Sequence, residues 1–263
     1  MYRELYRFGG VTFALESDAP LERSPVCEAF RVPDGVPDHT ICLRFSDALP
    51  TPPTGALRRD DVFRWQAGAQ RHLLQWVSAP GDIPHFTYAV THGAHTDVIF
   101  ASAYRTGASV STALEAVGLF DVFAARGMLV LHSAYIVTRT GEAILFSGPS
   151  GIGKSTQAAL WQRCAGARVV NGDRALVDVG KKTANGIFYA GTSGISENVT
   201  APVRAIVLLG QGSENRVFVP SPQAAFAGVL SQCAYYEWDA RSAEQMTECV
   251  ARLVSDVPVL RMD

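Results

Sequence analysis

Gly148, Gly153, Lys154 and Ser155 stand at the spacing Gly-x-x-x-x-Gly-Lys-Ser, the pattern of a loop that wraps a phosphate. Pro149, Ser150, Gly151 and Ile152 fill the interval and Thr156 follows. Glycines tolerate positive φ and carry no Cβ, so successive backbone N–H groups can curl around an anion. A helix beginning at Lys154 would aim the positive end of its dipole at the same anion. On this reading Lys154 reaches the β/γ-phosphates of a nucleotide and the Ser155 hydroxyl holds Mg²⁺. The plainer reading is a glycine turn between strand and helix that binds nothing.

Asp173 is the next candidate. It ends a short strand, Arg168 to Val170, that runs into Asn171-Gly172-Asp173-Arg174. A carboxylate there can hold Mg²⁺ or accept the proton of an attacking hydroxyl. Asn-Gly-Asp is also ordinary turn chemistry. His132 lies inside the apolar run Met128 to Val137, expected to pair with the strand that feeds the glycine loop through the Thr140-Gly141 turn. It is either a satisfied structural histidine or a helper at the site. His39, His72, His85, His92 and His95 fall in the first part of the chain. His92-x-x-His95 has a metal-pair spacing without a third ligand at fitting distance along the sequence, so these histidines are expected to be exposed or hydrogen-bonded. The small, polar stretch Gly191 to Asn198 reads equally as a surface loop or as one that closes over a substrate.

These residues need elements to position them. Ala143 to Phe146 reads as a buried strand and Lys154 to Cys164 as a helix ending at Gly166. Ala175 to Val179 continues as a strand. Val203 to Leu209 is another, paired with Arg216 to Val219 across residues 210–215. Gln223 to Cys233 and Ser242 to Ser255 read as helices and Val257 to Leu260 as a last strand. Apolar residues at three- and four-residue steps predict one helix over 109–126, capped by Ser109 or Ser111 and stopped by Gly127. Before it lie short β-like runs (Val11 to Leu15, Thr40 to Phe45, Arg71 to Val77, Phe86 to Val90, Thr96 to Ala103). The breaker clusters Pro33-Asp34-Gly35, Pro50 to Pro53 and Ala79 to Asp82 separate them. The expected architecture is an antiparallel β-rich lobe over residues 1–107, then an α/β P-loop domain over 108–263.

Composition bounds the partners. The chain has 263 residues, 48% hydrophobic and 18% charged, with a net charge of −2, which suits a globular enzyme and gives no reason for a nucleic-acid or anionic-membrane partner. Its five cysteines show no C-x-x-C spacing, which suggests reduced thiols in a reducing compartment. Charges stand where a signal peptide would be apolar, and no apolar run is long enough to span a bilayer. A soluble, cytoplasmic protein is expected; its oligomeric state, a homo-oligomer included, is left open.

Over residues 125 to 210 the chain resembles the kinase domain of HPr kinase/phosphorylase, which shares its fold with phosphoenolpyruvate carboxykinase. The resemblance rests on His132 before the loop, Gly148-Pro-Ser-Gly-Ile-Gly-Lys-Ser155, a helix ending in Gly166-Ala167-Arg168, and the acidic turn at Asp173. It is strongest with the short HPr-kinase-like proteins, some of them associated with peptide modification. The resemblance implies an α/β P-loop domain of the HPr-kinase/carboxykinase type, ATP or another nucleoside triphosphate with Mg²⁺, and phosphorylation of a Ser/Thr hydroxyl on a protein or peptide. It implies Asp173 as base, His132 as its helper, and Lys154 and Ser155 on phosphate and Mg²⁺. Two features depart from the family. Its acidic pair is reduced to Gly172-Asp173, and Tyr189 or Ala190 falls where it carries a Glu, with Glu197 further on. These departures keep two other readings beside the first, a small-molecule kinase and a nucleotide-binding regulator with weak or no catalysis.

Overall fold

The computed structural model describes residues 1–77, 85–212 and 214–263, with the backbone alone at 76, 77, 85 and 86. The Ala79 to Asp82 cluster and the His85 side chain lie outside the described residues, as does position 213 of the expected 210–215 turn. Two compact units are present, Met1–Leu119 and Phe120–Asp263. Among the described residues no helix is long and apolar enough to cross a membrane.

The expected α/β P-loop class is overturned. The chain is mostly β, 39% strand against 24% helix, and its helices do not alternate regularly with its strands. The first unit is one nine-stranded sheet. Its strands are β1 (Tyr2–Phe8), β2 (Val11–Ser17), β3 (Arg31–Val32), β4 (His39–Phe45), β5 (Leu57–Arg59), β6 (Val62–Ala67), β7 (Gln70–Val77), β8 (His85–His92) and β9 (His95–Phe100). They are ordered β3-β1-β2-β4-β9-β8-β7-β6-β5. The sheet is mixed, not antiparallel as expected, because β2, β4 and β9 run parallel. The connection from Asp18 to Asp38, with the short helix α1 (Pro25–Glu28), returns the chain to start β4 in the direction of β2. Alternation sets the faces: His39, Ile41, Leu43 and Phe45 are buried, while Thr40, Cys42 and Arg44 point to the other side.

The single helix expected over 109–126 is two. α2 (Val110–Glu115) carries the Ser109 capping box, and α3 (Leu119–Ala124) follows a break at which Gly118 takes φ +66°. A positive φ cannot continue a right-handed helix, so the periodic apolar pattern survives while the hydrogen-bond ladder does not. Val110 N–H donates to the Glu22 carbonyl and Glu22 N–H to that of Ala108, tying the start of α2 to the connection after β2 within the first unit.

The second unit is built on a closed ring. Its strands are β10 (Met128–Val137), β11 (Ala143–Ser147), β12 (Arg168–Asn171), β13 (Arg174–Asp178), β14 (Thr183–Asn185), β15 (Thr200–Leu209), β16 (Val217–Phe218) and β17 (Val259–Met262). β11 pairs with β10 on one side and β15 on the other, so β11-β10-β13-β14-β15 closes on itself as a five-stranded barrel. β12 lies against β10, and β17 then β16 extend from β15. The expected pairing of Arg216 to Val219 with Val203 to Leu209 does not form. β17 intervenes, and Val217 faces Met262.

The barrel explains why the strands looked like those of a doubly covered α/β sheet. Leu129, Leu131, Tyr135, Leu145 and Ile206 pack with Met246, Val250 and Leu253 of α6 (Ala240–Asp256). Ile136, Ile144, Phe146 and Val207 pack on Ala158 and Trp161 of α4 (Lys154–Ala165). Both faces of one strand are thus dry, so β10 and β11 read as continuous apolar runs, as parallel buried strands do. The remaining helix, α5 (Pro222–Leu230), packs through Ala225 and Val229 on the α6 side.

Candidate functional site

β11 delivers the chain into the glycine loop and α4 leaves it. Ser147 ends the strand and its Oγ donates to the His132 carbonyl at 2.8 Å, tying the loop to β10. Gly148 takes φ +152°, and a Cβ there would meet the Ile152 side chain at 3.1 Å and the Leu209 carbonyl at 3.3 Å. Gly151 and Gly153 take φ +80° and +111°. Only glycine holds such values cheaply, so the loop geometry follows from the spacing. Gly153 is the N-cap of α4, and no side chain caps that end. The N–H groups of the first turn lack intrahelical acceptors and present a donor set to an anion. Ser155 and Thr156 are exposed in this turn.

Lys154 is buried, with Nζ donating to the carbonyls of Gly148 at 2.9 Å and Pro149 at 3.1 Å. It therefore closes its own loop. Burial pulls its pKa below the usual lysine value, and the negative charge of Asp173 works against that pull.

Asp173 occupies the tip between β12 and β13. The geometry of that tip comes from Asn171, which is fully buried. Its Oδ1 accepts the N–H groups of Asp173 and Arg174, both at 2.9 Å, and its Nδ2 donates to the Ile187 carbonyl at 2.7 Å. Asp173 Oδ1 sits 3.4 Å from His132 Nε2, and Oδ2 the same distance from Arg174 Nε. Hydrogen bonding from His132 is the largest cause holding the Asp173 carboxyl below the usual range; burial opposes it and Arg174 adds to it. The pair expected from the sequence, His132 and Asp173, is brought together.

The stretch 187–197 packs against this tip. Gly191, at φ +55°, passes so close that a Cβ would stand 2.7 Å from the Asp173 Cβ. A Cβ on Gly172 would collide with the Ser193 side chain. Ser196 Oγ donates to the Ile187 carbonyl and Glu197 N–H to that of Val170. The Glu197 carboxylate pairs with Arg168 at 2.6 Å instead of joining the acidic turn. Tyr189 lies under the Arg174 guanidinium with Phe120. Asn171, Gly191 and Arg174 were not singled out from sequence; only the Asn-Gly-Asp turn chemistry hinted at the first.

The donors suit Mg²⁺ held chiefly by phosphates and waters, an ion that asks a protein for one or two oxygens. Asp173 could offer a carboxylate and the exposed Ser155 a hydroxyl. In the first unit, His39 hydrogen-bonds Thr96 at 2.8 Å, and His72 hydrogen-bonds Tyr88 at 2.6 Å and stacks on Trp65. No model of a known protein family matches the chain, and no curated protein does.

Proposed function

We propose that the chain is a cytoplasmic phosphotransferase resembling the short HPr-kinase-like proteins. It moves the γ-phosphoryl group of ATP, or another nucleoside triphosphate, to a Ser/Thr hydroxyl of a protein or peptide. The observation that carries this reading is His132 of β10, whose carbonyl accepts the Ser147 hydroxyl at the start of the loop that Lys154 closes, and whose ring stands 3.4 Å from Asp173. When nucleotide enters, Lys154 exchanges two carbonyls for phosphate oxygens, and the first-turn N–H groups of α4 face the same anion. The acceptor oxygen forms its bond to the γ-phosphorus as the bond to the β-bridging oxygen breaks, and its proton passes to Asp173. His132 holds the Asp173 carboxylate in place. Mg²⁺, with Ser155 and Asp173 as its protein oxygens, would neutralise charge on the phosphates.

Asp173→Asn should keep nucleotide affinity within a few-fold and lower turnover by at least about 100-fold. Lys154→Ala should weaken both. Transfer of labelled phosphate to peptide, together with a binding isotherm for each variant, measures this, and unchanged turnover in Asp173→Asn would remove the role given to that residue.

One observation favours a second reading, a nucleotide-binding regulator. Position 172 has no room for a second carboxylate, because Ser193 fills the space a side chain would need. Tight nucleotide binding with no transfer to any acceptor would select this reading.

A further inference from the structure

The parallel strands β2, β4 and β9 bring four donor side chains to one face of the sheet. Glu16 stands opposite Cys42 and Cys42 opposite Asp97. His95 precedes Asp97 by two residues and so shares its face, the face away from Ile41, Leu43 and Val98. The Cys42 thiol, one imidazole nitrogen of His95 and one carboxylate oxygen of Asp97 all lie within 4.8 Å of one another. His95 Nε2 is 3.4 Å from Asp97 Oδ1. Cys42 Sγ donates to Glu16 Oε2 at 3.5 Å, while Arg3 holds the other Glu16 oxygen at 3.1 Å. His92, the partner suggested by spacing along the chain, faces His95 across the β8–β9 pair. The third donors are supplied by β4 and β2, far away in sequence.

We propose that this face binds one divalent transition-metal ion of the zinc type through Cys42, His95 and Asp97, with Glu16 closing the fourth position. Zinc bonds of about 2.0–2.3 Å set tetrahedral ligand atoms about 3.3–3.8 Å apart. The existing cluster reaches that spacing by rotating side chains, of which Asp97 is exposed and His95 half-buried. The strand register stays as it is. A sulfur, nitrogen and oxygen set favours zinc or cobalt over magnesium or calcium, so this site is chemically distinct from the Mg²⁺ oxygens at the glycine loop. Burial, followed by the Glu16 carboxylate, pushes the Cys42 thiol up to about 11 in the apo protein. Metal binding converts it to thiolate and releases its proton. Arg3 offsets part of the negative charge that gathers there.

Titration of the full chain with Co²⁺ tests this, because thiolate ligation produces a sulfur-to-cobalt charge-transfer absorption. The band should saturate at one equivalent, disappear when Zn²⁺ is added, and be lost in Cys42→Ser. His95→Gln and Asp97→Asn should each weaken Co²⁺ at least about tenfold. Cys164→Ser, which alters an exposed thiol elsewhere, and Lys154→Ala should leave the band unchanged. In wild type, Zn²⁺ should protect Cys42 from a thiol reagent, mapped by mass spectrometry, a readout that needs no variant to fold. The site is overturned by absence of a saturable band, by a band that survives Cys42→Ser, by indifference to both His95→Gln and Asp97→Asn, or by failure of zinc to protect Cys42.

Discussion

The Asn171 amide accepts two N–H groups, donates to a carbonyl of the following segment, and is sealed from water. It fixes where Asp173 stands without reaching a substrate itself. Asn171→Ala leaves buried partners unmet, so it should cost about 2–3 kcal/mol, visible as a lower denaturation midpoint at unchanged slope. Turnover should fall with it. Lys154 carries a different prediction. Its pKa lies below that of an ordinary lysine because of burial, and only its charged form attracts phosphate. Nucleotide affinity should therefore fall as pH rises through that lowered value, before the usual lysine range of about 10.4. Isotherms across alkaline pH would show it, and Lys154→Arg should abolish the dependence because guanidinium stays charged. Lys154 and the three loop glycines were legible in the sequence because their chemistry is local. Gly191 was not: its need to be glycine arises from Asp173, a contact no spacing along the chain reveals.

At the scale of elements, β10, β11, β12, β13 and α4 stand close to where apolar runs, caps and glycines put them. What periodicity could not supply was partnership. β16 belongs beside β17, and the apolar stripe over 109–126 continues through a break that only a backbone angle makes visible. β1 went unread because Tyr2–Phe8 mixes Arg and Glu among its apolar residues, which blurs the alternation of a half-buried strand. The glycine loop itself rests on packing beneath it. Phe146 is fully buried and its ring lies 6.1 Å from that of Trp161 on α4. Phe146→Ala should cost about 3–5 kcal/mol and loosen the seat of α4. Thermal unfolding would read the first effect; weaker nucleotide binding, with Lys154 intact, would read the second.

For the whole molecule, the lesson lies in how the ring closes. β11, β15 and β17 are parallel to one another, and that trio carries the local strand–loop–helix pattern on which an α/β assignment was built. Antiparallel β10, β13 and β14 complete the circuit, and nothing in a sequence window tells whether strands covered on both faces belong to an open sheet or to a closed ring. The ring leaves β11 no free edge, whereas, among the described residues, the nine-stranded sheet ends at β3 and β5. Both terminal strands are very short. β3 carries Arg31, paired with Glu4 at 3.0 Å, and β5 is fully exposed with Arg58 and Arg59. Unpaired backbone at a sheet margin is a template on which a second chain can crystallise into fibres, and charge on so short a margin makes every such addition costly. Resistance to edge-to-edge pairing then rests on a few arginines at the rim. Replacing Arg31 and Arg58 with Val should leave the melting temperature nearly unchanged yet accelerate turbidity and thioflavin fluorescence in concentrated samples.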